Sequence, residues 1–161
     1  AVPANKNPKM DNVSFQEGRG APESVVFSQL RSLSESSDPG IKYFSGTASY
    51  KTTFNLKQIA KGNKAILDLG DVKDLAEVIV NGKNLGVVWK KPFKVDISEA
   101  AKAGENTREV RVTNTWVNRL IGDAQPGVTN KITFTTMPFY KADGMLLQAG
   151  LIGPVKILER Q

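Results

Sequence analysis

The 161-residue chain contains no cysteine and no histidine. Disulfides, thiolate nucleophiles, thiolate or imidazole zinc sites and any Ser-His-Asp triad are thereby excluded. Acid–base chemistry near neutral pH is left to carboxylates and perturbed lysines. No apolar run approaches the roughly 18 residues of a membrane-spanning helix. The first residues, AVPANKNPKMDN, lack the apolar centre of a signal peptide. Residues 1–11 read as a linker or the remnant of a cut through a longer chain, with the domain proper over 12–161. Any export signal would then lie upstream. A cysteine-free chain fits an exported protein without disulfides as well as a cytosolic one.

Hydrophobic residues make up 40% and charged residues 24%, ordinary values for one globular domain. A chain of this length buries roughly 70% of its unfolded surface. The net charge is +6, but the basic residues are mostly lysines spread from Lys6 to Lys156. The densest group is Lys83, Lys90, Lys91 and Lys94. There is no RNP-type aromatic motif, zinc-finger spacing or basic helix, so the charge reads as a solvated surface rather than a nucleic-acid footprint. Surface lysines also discourage edge-to-edge pairing of strands.

Period-2 patterns dominate. In TASYKTTF (47–54), Ala48, Tyr50, Thr52 and Phe54 share one face, as in a half-buried antiparallel strand. AILDLG (65–70), AEVIVNG (76–82), EVRVTN (109–114), SVVFSQL (24–30), KITFTTM (131–137) and GPVKILE (153–159) read as further strands. Asn81-Gly82 suits the φ > 0 positions of a tight turn, folding VIV back on LGVVW, with Lys83 and Asn84 available to lengthen it. Pro92 ends that strand, and PFKVDI places Phe93, Val95 and Ile97 on one face of the next. The pattern predicts an all-β antiparallel sandwich. A turn or two of helix is expected at LKQIAKG (56–62) and at SEAAKAG (98–104), the latter capped by Ser98. RSLSESSDPG (31–40) reads as an exposed loop. TWVNRLIGDAQPG (115–127) and PFYKADGMLLQAG (138–150) have no clean period and read as long connections, where binding sites tend to lie.

A pair of carboxylates could hydrolyse a glycosidic bond if two of Asp68, Asp71, Asp74, Asp96, Asp123 and Asp143 converged. Most have a bland role at strand ends and turns. DLGDVKD (68–74) supplies oxygens for calcium but lacks an EF-hand pattern. VNGKNLG is no phosphate loop. Trp89, at a strand end, is expected in the core. Trp116, Asn118, Arg119 and Asp123, with Tyr140, concentrate planar hydrogen-bonding and aromatic groups. They suit a polyol ligand, a neighbouring domain or bracing of the loop itself. Docking would instead expose apolar residues such as Ile121, Met145 or Leu146.

The ordered elements SGTASY, LDLG, VNG, LG, PF.VDI and GEN, over about residues 12–159, resemble the galactose-binding-like jelly-roll domain of β-galactosidase-type glycoside hydrolases. NRLIGD and AGLIGPVKI are closer to the C-terminal domain of bacterial family 106 α-L-rhamnosidases. The resemblance implies a two-sheet jelly roll without catalytic carboxylates of its own. Such a module would be accessory to a barrel on the same polypeptide, and a barrel alone needs about 200 residues or more. It further implies carbohydrate or the catalytic domain as partner, no membrane or nucleic acid, and a periplasmic or extracellular parent enzyme. No cofactor is implied, calcium remaining an open alternative.

Overall fold

The computed structural model describes residues 10–160, so the expected linker lies outside the described residues up to position 9. The described chain runs β1 (Asp11–Phe15), β2 (Ser24–Phe27), a 3-10 turn (Leu33–Glu35), α1 (Pro39–Lys42), β3 (Thr47–Leu56), β4 (Lys64–Asp68) and β5 (Asp71–Lys73). It continues β6 (Leu75–Val80), β7 (Lys83–Val88), β8 (Lys94–Asp96), β9 (Gly104–Thr113), α2 (Val117–Asp123), β10 (Gly150–Gly153) and β11 (Lys156–Arg160). A six-stranded sheet has the order β2-β1-β3-β9-β6-β7. Against it lie a three-stranded sheet, β11-β4-β8, and a two-stranded one, β10-β5. The strand pairs are antiparallel. This is the all-β sandwich that the alternation predicts.

The core follows from the period of two. Ala48 and Tyr50 on β3, Val110 and Val112 on β9, and Ala76, Val78 and Val80 on β6 are all buried on the inner face of the large sheet. Ala65 and Leu67 on β4, Val95 on β8 with flanking Phe93 and Ile97, and Leu151 on β10 meet them in one cluster. Burying the Val, Leu, Ile and Phe side chains among these contributes about 1.5–3 kcal/mol each. Asn81 (φ 49°) and Gly82 (φ 79°) form a two-residue turn, with Val80 opposite Lys83. Lys83 and Asn84 therefore belong to β7 rather than to a longer turn.

Several local expectations are overturned, each by a tertiary competitor for the backbone. Residues 131–137 form no strand, because the N–H groups of Ile132 and Thr133 go to the Asp123 carboxylate (3.0 and 2.7 Å). No helix forms over 56–62: Leu56 extends β3 opposite Gly104, and the Ala60 N–H is taken by Glu159. SEAAKAG makes the single turn expected of it, but Ser98 does not cap it. The Asp96 carboxylate accepts from the Ser98 N–H and O–H, Ser98 Oγ accepts from Ala65 N, and Asn106 captures the Lys102 N–H before a helix can propagate.

The serine-rich 31–40 segment is not simply exposed. Ser32 and Leu33 are buried and tied to Ala149 by Ala149 N→Ser32 Oγ (3.0 Å) and Leu33 N→Ala149 O (2.9 Å). α2 lies inside the expected 115–127 connection, too short for its period to show. Trp89 follows the end of edge strand β7 and is 68% exposed rather than in the core. β1 is a strand the alternation did not disclose, and it begins at Asp11. No helix among the described residues is long and apolar enough to cross a membrane.

Candidate functional site

α2 places the planar side chains of NRLIGD against the rest of the sandwich. Asn118 is buried and clamps the Leu147 backbone through Nδ2→Leu147 O and Leu147 N→Oδ1, both 2.8 Å. Arg119 N donates to the Ser45 hydroxyl at 3.1 Å. Its Nε lies 3.0 Å from Asp123 Oδ1, one helical turn on. That contact is an ion pair with the N–H out of line, since both atoms are buried without an aligned hydrogen bond. Asp123 Oδ2 accepts from Ile132 N, Thr133 N and Thr133 Oγ1, which spreads the carboxylate charge over three donors. Asn118 therefore braces the two long connections to each other, and Asp123 ties the first of them to residues 132–133.

Trp116 and Tyr140 stand outside this brace and are exposed. The Arg19 guanidinium carbon sits 4.4 Å above the Trp116 ring, covering one face. Tyr140 meets Phe139 edge to face at 5.2 Å. The five candidates thus separate into buried Asn118, Arg119 and Asp123 and exposed Trp116 and Tyr140. Of the three apolar candidates, Met145 is 87% exposed, Leu146 is half-buried and Ile121 is buried, its side chain lying beneath Gly144. Phe134 (90% exposed), Met137 (79%) and Phe139 (81%) are further exposed apolar residues of the stretch leading to Met145.

A cleft of about 290 Å³ opens beside α2. Arg119 and Gln125 line it together with Tyr43, Asn130, Ile132 and three glycines, Gly20, Gly40 and Gly122. A Cβ at Gly122 would lie 2.5 Å from Tyr43 Cβ as well as 2.4 Å from Arg119 Nη2, so the close approach of Tyr43 requires glycine there. Tyr43 and Asn130 carry no distinctive motif, and only the topology brings them to Arg119.

Of the carboxylates weighed for catalysis, Asp68, Asp71, Asp74 and Asp96 are held by cations or backbone. Asp68 accepts from Gly70 N and pairs with Lys94 at 3.3 Å. Asp71 lies 3.1 Å from Lys73 and 3.5 Å from Lys91. Burial pushes its carboxyl up, but the two ammonium groups outweigh this and hold it below the usual range. Asp74 accepts from Thr115 N. The hydroxyl and N–H of Ser98, helped by Lys64, hold Asp96 down at about 2. Among the described residues no group of three or more carboxylates is gathered for a metal ion. A general acid needs a raised carboxyl. Of the carboxyls with a shift, Asp11 is the raised one, through burial partly offset by Arg108, and it lies in the sandwich rather than in the cleft.

Comparison with known proteins places this geometry in context. Residues 36–141 match the family model described as glycosyl hydrolase 2 galactose-binding domain-like. The solved rhamnosidase from Novosphingobium sp. PP1Y superposes with a TM-score of 0.92 and 48% identity, covering 98% of this chain and 15% of that one. A protein of Formosa agariphila assigned by name as a beta-glucuronidase is 42% identical over 158 residues, 83% of this chain and 14% of its own. The beta-D-glucuronidase of Dictyoglomus thermophilum shares the fold, with a TM-score of 0.58 and 21% identity, over 73% of this chain and 21% of its own. The chain therefore spans about a seventh of the length of its more similar relatives.

Proposed function

Because the chain belongs to the family of glycosyl hydrolase 2 galactose-binding-like domains, we propose that it is a non-catalytic accessory domain of a larger, rhamnosidase-like glycoside hydrolase. In this reading it docks on the catalytic domain of the same polypeptide through the segment 134–147. The observation that carries the docking is the exposure of Phe134, Met137, Phe139 and Met145, all on one stretch without regular structure. Large exposed apolar patches mark interaction surfaces. Asn118 fixes one end of the stretch at Leu147 and Asp123 the other at Thr133, so the patch is presented on a braced base.

The relatives support this choice of occupant: the solved rhamnosidase carries a counterpart of nearly all of this chain and several times as much besides. The lysine-paired carboxylates Asp68, Asp71 and Asp96 support a non-catalytic role. The test is substitution of Phe134, Phe139 and Met145 by Ser. In the isolated chain these changes leave stability within about 0.5 kcal/mol, as surface changes do. In the full enzyme each costs about 1.5–3 kcal/mol of domain association, the value of burying such a side chain. Equal behaviour in both contexts would remove the docking reading.

A further inference from the structure

We propose that Arg19, seated over Trp116, is the polar anchor of the docking surface and receives a carboxylate of the catalytic domain. The inference rests on the reading that this domain docks on the catalytic one. The Arg19 guanidinium carbon lies 4.4 Å from the centroid of the Trp116 ring, and Trp116 is 42% exposed. Among the described residues the guanidinium has neither a carboxylate nor a hydrogen-bond acceptor, Glu17 of its own loop included.

The pair is held in place by the chain beneath it. A Cβ at Gly46 would lie 3.3 Å from Arg19 Cγ, so glycine leaves the room that the arginine stem uses. Gln16, in the same loop, is tied to Thr47 by Gln16 N→Thr47 O (3.0 Å) and Thr47 N→Gln16 Oε1 (3.2 Å). A guanidinium fixed in this way presents a planar fork of donors, which matches a carboxylate. Trp and Arg are also the residue types that most often dominate binding energy at interfaces.

Two contacts place the pair beside the segment 134–147. Gly20, next to Arg19, packs on Ile132, a Cβ there lying 2.7 Å from Ile132 Cδ1. Trp116 is the N-cap residue of α2, two positions before Asn118, which holds Leu147. The pair therefore neighbours both tethered ends of the stretch.

Charge selects the chemistry of the partner. Lys131 and Lys141 are exposed and, like Arg19, have no ion pair among the described residues. On the sandwich, by contrast, Lys51, Lys64, Lys73, Lys83, Lys91 and Lys94 each face a carboxylate. Within 131–147 the single carboxylate is Asp143. An apolar patch bordered by unpaired cations fits an acidic face, and opposite charges across an interface fix its register.

The experiment is carbodiimide cross-linking of the full-length enzyme carrying Arg19→Lys, which joins an amine at position 19 to a carboxylate in contact with it, read by peptide mass spectrometry. The expected result is a link from position 19 to an Asp or Glu of the catalytic domain. In the same enzyme, Arg19→Gln lowers hydrogen-exchange protection of residues 134–146 about tenfold or more. It leaves the urea midpoint of the isolated chain in place, so the loss is one of association and not of folding. A link that forms while 134–146 stays unprotected upholds the anchor and removes the docking segment. Protection that Arg19→Gln does not change overturns the anchor and leaves docking intact. A link confined to this domain, a link to a second copy of the chain, or no link would each overturn the proposal.

Discussion

Replacing Asp11 by Ala tests whether the first strand is part of the domain. Asp11 opens β1, and its carboxylate meets Arg108 Nη2 of β9 across the intervening strand β3. Both side chains are 8% exposed, and both lie on the face that carries Val13 and Val110 into the core. Removing the carboxylate leaves a buried guanidinium without its counter-charge, and Arg108 Nε already lacks a partner. Breaking one side of a buried pair costs about 3–5 kcal/mol. That is a large fraction of the roughly 5–15 kcal/mol that holds a domain together.

The intact pair is a different matter. Burial raises the Asp11 carboxyl above 3.8, and Arg108 offsets this only in part. Its contribution is therefore fully present below the unfolded-state value and declines as pH rises through the folded one. The double change Asp11→Leu with Arg108→Met should accordingly recover most of the loss. Urea unfolding of the two single variants and the double variant at neutral pH closes the cycle. A cost below about 1 kcal/mol for Asp11→Ala would refute the reasoning, since it would mean that Arg108 finds water or that β1 contributes little.

Asn118→Ala removes both bonds to the Leu147 backbone, at about 1–3 kcal/mol, and should speed amide exchange at Leu147. Unchanged exchange there would show that the brace is dispensable. Asp96 is held at about 2 against 3.8, so it contributes stability that is present above 3.8 and lost as pH falls toward 2. Because the carboxylate is 41% exposed, the contribution is small. Acid unfolding of Asp96→Asn should show a slightly shallower loss over that interval than the parent chain, and an identical curve would contradict it.

Where one face is buried and the other wet, the sequence announced the structure. Ala48 and Tyr50, Val78 and Val80, and Val110 and Val112 alternate because each strand packs on one side only. The Asn81-Gly82 turn was legible because its backbone demands those residues. Legibility failed where a distant side chain outbid the local pattern. Asp123 claims the N–H groups that would have made 131–137 a strand, and Asp96 and the Ala65 N–H draw Ser98 away from its expected cap. β1 was hidden because its inward face begins with a charge, Asp11, whose partner lies far along the chain.

The candidate site was half legible. The density of planar groups in NRLIGD pointed to Arg119, but Tyr43, Gln125 and Asn130 reach it only through the topology. Ile121 and Met145, both apolar, part company because α2 turns one inward while the following loop leaves the other in solvent.

Hydrogen exchange of residues 134–146, short of the Leu147 amide that Asn118 holds, compared between the isolated chain and the full-length enzyme, tests the docking role most directly. Docking predicts rapid exchange in the isolated chain and protection of this segment in the enzyme, around Phe134, Phe139 and Met145. Equal, rapid exchange in both would contradict it.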